Sequence, residues 1–374
     1  MSRTTPPPAD VILGRPEVAG DISQAARLAH GRRVLLTGAA GSIGWPLSHA
    51  LLRAEPQRLV LLDHHEHSLF SLERALGRSD RTVFELADVR DAQRLGRVFD
   101  EYQPEVVIHL AAAKHVPFGE RFPEGAVASN VLATRSLLEL AQRAQTQTLV
   151  YPSSDKSVLP PSVYGATKRL AEALVQTMCG QRQWAVVRYV NIVGTRGSVI
   201  ETFTQQILAD RPLSITDERM TRYWISMDEA LWCALMALQC ASPGEIVMPD
   251  CSEAVPIIET ARRLADWYRP EHVPYPLTCT GIRPGERLDE VLLSPNEWFA
   301  AEAPAAGLRS VRTRRPTAVL SGIQATVDRL SVPELIALAV SKGANDAEIA
   351  ACKHPSVESR GIRVVGKPKA LRAS

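Results

Sequence analysis

Six short apolar runs mark the first half of the chain, at 34–37, 59–63, 83–86, 106–110, 149–151 and 184–188. Between them lie longer stretches with apolar residues at helical spacing, clearest over 131–144 and 164–178. Strands buried on both faces read as continuous apolar runs rather than as alternation. Repeated strand–helix units of this kind predict a doubly wound α/β domain, with a parallel sheet, helices on both faces and right-handed crossovers. After Arg188 the alternation loosens. Helices are expected over 199–209, 228–239 and 257–267, with a short strand at 245–248. The pattern divides the chain into an N-terminal extension (1–30), a nucleotide-binding-type α/β domain (31–190) and a smaller lobe (191–300) interleaved with it. A helical segment (301–353) and a flexible basic tail (354–374) complete the division.

Charge narrows the partners. Over 374 residues, 43 basic side chains face 41 acidic ones, for a net charge of +2. That balance supplies no field for nucleic acid or a membrane surface. The tail, with Arg360, Arg363, Lys367, Lys369 and Arg372 against Glu358, is too polar to build a core. Six cysteines, Cys179, Cys233, Cys240, Cys251, Cys279 and Cys352, form no CxxC pair, so no metal site is expected. No apolar run approaches the roughly 18 residues of a membrane span. The first ten residues lack the apolar core of a signal peptide. The expected location is the cytoplasm.

The first run leads directly into Gly38-Ala-Ala-Gly41-Ser-Ile-Gly44. Glycines at this spacing, between a strand and a helix, permit a tight turn, backbone approach to a pyrophosphate and close helix packing. The helix N-terminus then offers amides and partial positive charge to phosphate. Asp63 closes the second run, 63 − 44 = 19 positions beyond Gly44. A carboxylate there accepts from ribose hydroxyls and repels a 2′-phosphate, which favours NAD, with NADP tolerated if His64 and His65 are neutral. Asp88, after the third run, is placed either to touch the adenine edge or to cap the next helix. The domain is therefore read as Rossmann-type.

Two further groups carry chemistry. Tyr164 and Lys168 stand four apart on one predicted helix face, so they converge. A phenol has a reference pKa of about 10 and needs a neighbouring cation to serve as a base. Ser153-Ser-Asp-Lys156 follows the fifth run and adds Ser154, Asp155 and Lys156. The carboxyl suits proton donation, and a desolvated amine suits proton removal.

GxxGxxG with YxxxK resembles the extended short-chain dehydrogenase/reductase superfamily. More narrowly, the chain resembles its polysaccharide-biosynthesis branch, which contains UDP-N-acetylglucosamine 4,6-dehydratases. The pieces that carry this are Leu13-Gly-Arg-Pro-Glu-Val18, Leu62-Asp-His-His-Glu66, Ala113-Lys-His-Val-Pro117, Ser154-Asp-Lys156, Tyr164-Gly-Ala-Thr-Lys-Arg169, Gly197-Ser-Val-Ile200, Met220-Thr-Arg-Tyr223 and Gly281-Ile-Arg-Pro-Gly-Glu286. They span about residues 10 to 295 in the branch's order. The resemblance implies oxidation at sugar C4, loss of water across C5 and C6, and hydride return to C6. It implies a UDP-linked hexose, UDP-N-acetylglucosamine or a close relative, as substrate, and a homo-oligomer. A C4 epimerase or oxidoreductase is the alternative.

The same resemblance assigns Ser154, Asp155, Lys156, Tyr164 and Lys168 to catalysis. Around the cofactor it assigns Gly38, Gly41, Ser42, Ile43, Gly44, Asp63, His64, Asp88, Val89, Ala111, Ala112, Ala113 and Asn130, besides Tyr164 and Lys168. Around the sugar nucleotide it assigns Lys114, His115, Asn191, Arg196, Ser198, Val199, Arg222, Arg283 and Glu286, with Arg222 and Arg283 on the diphosphate and Glu286 orienting Arg283. Large members of the branch carry membrane helices ahead of this part, whereas here Leu13-Gly-Arg-Pro begins near the start, so only the catalytic module is expected. Gly119, Glu201 and Trp45 depart from the branch's usual methionine, proline and small residue, near the expected substrate lobe.

Overall fold

A computed structural model describes residues 5–251, 253–271, 274–313 and 317–340. The first six strands are β1 (Arg33–Thr37), β2 (Arg58–Asp63), β3 (Thr82–Leu86), β4 (Val106–His109), β5 (Thr148–Ser154) and β6 (Gln183–Tyr189). Three more complete the main sheet: β7 (Ile246–Pro249), β8 (Glu297–Phe299) and β9 (Leu308–Thr313). Their order is β8-β9-β7-β6-β5-β4-β1-β2-β3. From β7 to β3 all pairings are parallel, while β9 joins β7, and β8 joins β9, antiparallel.

The strands that flank the sheet's centre distribute their side chains by simple alternation. Val34 and Leu36 enter one core and Leu35 the other; Leu59 and Leu61 oppose Val60 and Leu62 in the same way. One layer holds α1 (Gly44–Arg53), α2 (Glu66–Leu76) and α7 (Met227–Cys240). The opposite layer holds α3 (Ala92–Tyr102), α4 (Ala133–Arg143) and α5 (Val163–Met178), together with α9 (Thr317–Arg329) and α10 (Val332–Val340). A third, separate core belongs to the smaller lobe. There α6 (Val199–Leu208) and α8 (Ile257–Tyr268) pack through Phe203, Ile207, Leu264 and Tyr268.

Two predicted boundaries moved. β5 runs three residues past the apolar run, because Pro152, Ser153 and Ser154 stay paired with β6. The segment read as helical over 301–353 first contributes β9, whose partners lie on β7 and β8 and are invisible to local periodicity. The basic tail over 354–374 lies outside the described residues. Within the N-terminal extension, Arg15 pairs with Glu229 at 2.6 Å, and Val18 N–H donates to the same carboxylate at 2.8 Å. Glu229 also completes a capping box with Ser226 at the start of α7.

Helix α5 is buried except at Gln176 and Thr177, with α9 and α10 packed over it. Burial on all sides leaves its charges to be matched internally. Arg188 on β6 donates from Nε and Nη2 to the two Glu172 oxygens (3.1 and 2.9 Å) and from Nη1 and Nη2 to Glu297 (3.2 Å each). Arg169 adds a 3.0 Å contact to Glu172. Burial opposes ionisation of Glu172, but these guanidinium groups hold its carboxyl down at about 2.

Removing one member strands the others, which in buried networks costs about 3–5 kcal/mol. Arg188→Ala should therefore lower the unfolding free energy, obtained from denaturant titration, by an amount in that range. Arg143→Ala, which removes an exposed pair at 3.9 Å, serves as the control and should move it hardly at all. Equal shifts for the two variants would refute the role given to Arg188.

Candidate active site

The sheet's topology reverses between β1 and β4, and in such folds a crevice opens at the carboxyl ends of the strands. A cavity of about 1400 Å³ lies there, bordered by the ends of β1, β2, β4, β5 and β6 on one side and by the small lobe on the other. All residues proposed above for the site border it except Asp155 and Asn130.

At its base the glycine turn is as tight as its spacing implied. A Cβ on Gly44 would stand 2.2 Å from the Gly38 carbonyl oxygen, and one on Gly38, at φ +69°, would stand 2.8 Å from Ala111 N. Ser42, Ile43 and Gly44 then lead into α1, whose ten residues make a stable positive terminus. These features fit a dinucleotide pyrophosphate. Asp63 is buried and braces the turn, accepting from Ala40 N–H and His65 N–H at 3.0 Å each. His64 stands 3.5 Å from the same carboxylate. Asp88 is no helix cap: α3 is capped by Asp91, and Asp88 pairs with Arg90 at 2.5 Å, an interaction that lowers its pKa.

Asn130 sits behind the cavity, not in it. Its Oδ1 accepts from Ala113 N–H at 2.9 Å, and its Nδ2 donates to the Ala113 carbonyl and to Thr167 at 3.0 Å each. It therefore fixes the Ala111–Ala112–Ala113 loop, which itself borders the cavity, as Val89 does.

The catalytic candidates converge differently from the sequence reading. Tyr164 and Lys168 both border the cavity, but Lys168 Nζ donates to the Pro152 carbonyl at 2.7 Å and stands 4.6 Å over the Tyr151 ring. Burial lowers the Lys168 pKa to about 7, against some support from Glu172. Burial raises the Tyr164 pKa, while Lys156 and the Ser154 hydroxyl oppose that rise. The cation that acts on the phenol here is thus Lys156. Helix α5 begins against the turn Asp155–Ser157, whereas Lys168, one helical turn further in, reaches β5.

Lys156 is not the neutral, desolvated amine expected from sequence. Burial disfavours its charge, but Asp155 at 3.0 Å and Glu290 at 3.2 Å outweigh this and raise its pKa. Asp155 is fully enclosed; its Oδ1 accepts from Ser154 Oγ at 2.9 Å and from Lys156. Ser157 ties this turn to the core, with its hydroxyl 2.7 Å from the Ser154 carbonyl and 2.6 Å from Glu172.

On the lobe side, Arg196 reaches back over the glycine turn. Its guanidinium donates to the Ala40 carbonyl at 2.5 Å, and its N–H to Ser42 Oγ at 3.0 Å. Lys114 Nζ holds the Arg196 carbonyl at 2.7 Å, and burial lowers the pKa of Lys114 and of His115 alike. His115 packs on Gly197, and Ser198 caps α6 ahead of Val199. Asn191 donates to the Tyr223 carbonyl at 3.0 Å. Arg222 is buried, with its terminal nitrogens on the carbonyls of Thr221, Leu288 and Arg287 at 2.6, 2.9 and 3.0 Å. It braces the lobe rather than offering a free fork. Arg283 is exposed and pairs with Glu286 at 2.7 Å. Gly119 packs beside Tyr164, Glu201 accepts from Gly197 N–H at 2.5 Å, and Trp45 stacks on His49 outside the cavity.

Two residues escaped sequence reading. His109, buried at the end of β4, contacts Thr37 at 2.7 Å and Thr134 at 3.2 Å; burial, reinforced by Lys168, lowers its pKa to about 3. Glu290 faces Lys156 from a loop whose fold no local pattern reveals. The signal available for it was the acidic pair Asp289-Glu290, three and four positions after Glu286. Among the described residues no cluster of metal ligands occurs, and no helix is long and apolar enough to cross a membrane.

Residues 34–306 match the family described as "Polysaccharide biosynthesis protein". EpsC of Bacillus subtilis, a probable polysaccharide biosynthesis protein, is 38% identical over 302 residues, which cover 79% of this chain and 50% of EpsC. The chain thus spans about half the length of that curated relative. An inverting UDP-N-acetylglucosamine 4,6-dehydratase of Campylobacter jejuni is 30% identical over 275 residues, covering 72% of this chain and 79% of that enzyme. Among solved structures, DesIV of Streptomyces venezuelae, a dTDP-glucose 4,6-dehydratase with NAD bound, superposes with a TM-score of 0.62. It is 22% identical and covers 70% of this chain and 88% of its own, a likeness that speaks for the fold.

The Lys168 amine offers a direct check on the site. Its pKa is about 7 folded against 10.5 unfolded, so between these values the unfolded chain binds the extra proton. Stability should therefore rise with pH from about 7 towards 10.5, and the cost of the buried charge should be fully felt below 7. Lys168→Met should flatten that slope in denaturation midpoints measured across the window. An unchanged slope would place the titration elsewhere.

Proposed function

The chain belongs to the polysaccharide biosynthesis protein family, within the nucleotide-sugar-modifying enzymes of the extended short-chain dehydrogenase/reductase fold, and on that premise we propose that it is a nucleotide-sugar 4,6-dehydratase. The observation that carries this reading is the buried ion cluster around Lys156, set directly beside Tyr164. Oxidation or epimerisation at C4 needs one base, and Tyr164 suffices for it. Removal of water across C5 and C6 needs a second acid–base pair.

The glycine turn, Asp63 and the Ala111–Ala113 loop would hold a nicotinamide dinucleotide, and NAD suits the carboxylate at Asp63 better than NADP does. When bound, such a cofactor supplies reversible oxidation, drawn on at sugar C4 and returned as reduction at C6. Tyr164 takes the C4 hydroxyl proton, with the Ser154 hydroxyl and the Lys156 charge favouring its phenolate form. The ketone then acidifies C5–H. Lys156 borders the cavity as an ammonium and is suited to donate a proton to the departing C6 hydroxyl.

For the nucleotide diphosphate, Arg283 at the cavity rim is better disposed than Arg222, whose donors already serve backbone carbonyls. Lys114, His115, Arg196, Ser198 and Val199 line the remaining wall, where a UDP-linked N-acetylhexose is the substrate proposed. The activity of the longer relatives as whole proteins is proposed for this chain only to that extent.

Incubation with UDP-N-acetylglucosamine and NAD in deuterium oxide tests the reading. The expected product is lighter by one water and carries deuterium at C5. A C4 epimer of unchanged mass would instead make this an epimerase. Tyr164→Phe should lower turnover by about 10²-fold or more while leaving sugar-nucleotide affinity, measured by calorimetry, near that of the parent.

A further inference from the structure

Elimination requires an acceptor for the C5 proton as well as a donor for the leaving oxygen. Two carboxylates flank Lys156, and they are not equivalent. Asp155 is fully enclosed and does not border the cavity. Glu290 does border it, together with Lys156 and Tyr164, although its side chain is only 3% exposed. Its Oε1 lies 3.2 Å from Lys156 Nζ, and its Oε2 is buried without a hydrogen-bond partner.

The backbone that carries Glu290 is held firmly. Arg222 grips the carbonyls of Arg287 and Leu288 and brings its Nε to 3.8 Å from Glu290 Oε1. Arg287 donates from Nη1 to the Val158 carbonyl at 3.2 Å, just past the Asp155–Ser157 turn. The carboxylate is therefore fixed in place beside the reacting groups, yet one of its oxygens lacks the partner that buried polar atoms ordinarily have.

We propose that Glu290 is the catalytic base that accepts the C5 proton, with Lys156 as the acid for the C6 oxygen. The inference rests on the dehydratase reading above. The C5–H bond breaks towards Glu290, and its electron pair forms the C5–C6 double bond. The C6–O bond breaks with its own pair, and the oxygen leaves as water carrying a proton from Lys156. This leaves a neutral carboxyl beside a neutral amine. One transfer between these contacting groups restores both charges. When C6 is reduced, C5 regains a proton from the exchangeable pool, which the proton released from the C4 hydroxyl replenishes.

The assignment separates two steps that Tyr164 and Glu290 govern independently. On rapid mixing of the NAD-loaded protein with UDP-N-acetylglucosamine, Glu290→Gln should retain C4 oxidation, seen as accumulating reduced-nicotinamide absorbance. Its water loss, followed by mass spectrometry, should fall about 10²-fold or more. Glu290→Asp should recover part of the loss. Water loss by Glu290→Gln at the parental rate would overturn the proposal. So would an equal loss of both steps in Glu290→Gln and Glu290→Asp at unchanged thermal midpoint, which would reduce Glu290 to a support for the site. Either result leaves the dehydratase reading intact provided the parent protein loses water. A parent protein that oxidises C4 without losing water sinks that reading and this inference together.

Discussion

The pairing of Arg188 with Glu172 and Glu297 is the interaction on which the site's geometry depends. It joins β6, α5 and β8, three elements distant in sequence, at a point with no access to water. Glu172 lies one helical turn beyond Lys168 on α5, so its fixation fixes the catalytic face of the helix. The same carboxylate receives Ser157, which anchors the turn carrying Asp155 and Lys156. Replacing such a network by apolar side chains often costs nothing in stability. Its value here lies in position: one buried guanidinium sets the distance between the Tyr164 helix and the Lys156 turn.

That arrangement divides labour between two lysines. Lys168 is buried near a carbonyl and a ring face, with Glu172 committed to arginines, so its charge is poorly matched and its pKa falls to about 7. Lys156 is buried between two carboxylates, so its charge is well matched and its pKa rises. One lysine can thus change protonation state near neutrality while the other stays charged. Under the 4,6-dehydratase reading proposed above, oxidation and elimination are separate needs, and neighbouring burial with different partners suits both.

The sheet, the helices and the glycine turn were legible because their signals are local: apolar runs, helical spacing and glycines between a strand and a helix. The Tyr164–Lys168 spacing and the Asp155-Lys156 pair could be picked out for the same reason. The protonation state of Lys156 was only partly legible: Asp155 is its sequence neighbour, but Glu290 stands 134 positions away. Asn130 and Arg222 were read as ligand contacts, yet each satisfies backbone groups that would otherwise be buried without partners. An amide or a guanidinium advertises hydrogen-bonding capacity in sequence, but not whether backbone or ligand will claim it. Strand β9 was missed on similar grounds, because edge pairing to β7 is a long-range fact.

A net charge of +2 predicted no attraction to polyanions, but the partner of this cavity is set by local charge. Asp88 is matched by Arg90, and Asp155 and Glu290 by Lys156 with Arg222 nearby. On the wall the Lys114 amine donates to the Arg196 carbonyl and the Arg196 guanidinium to the Ala40 carbonyl, and Arg283 stands at the rim with Glu286. Field lines concentrate in clefts with low-dielectric walls. These cations suit the small, doubly charged diphosphate of the proposed substrate, while the near-neutral exterior gives a long polyanion nothing to follow. Whole-chain charge gives nucleic acid no field to follow, and the cavity's own balance is compatible with the sugar nucleotide proposed as its ligand.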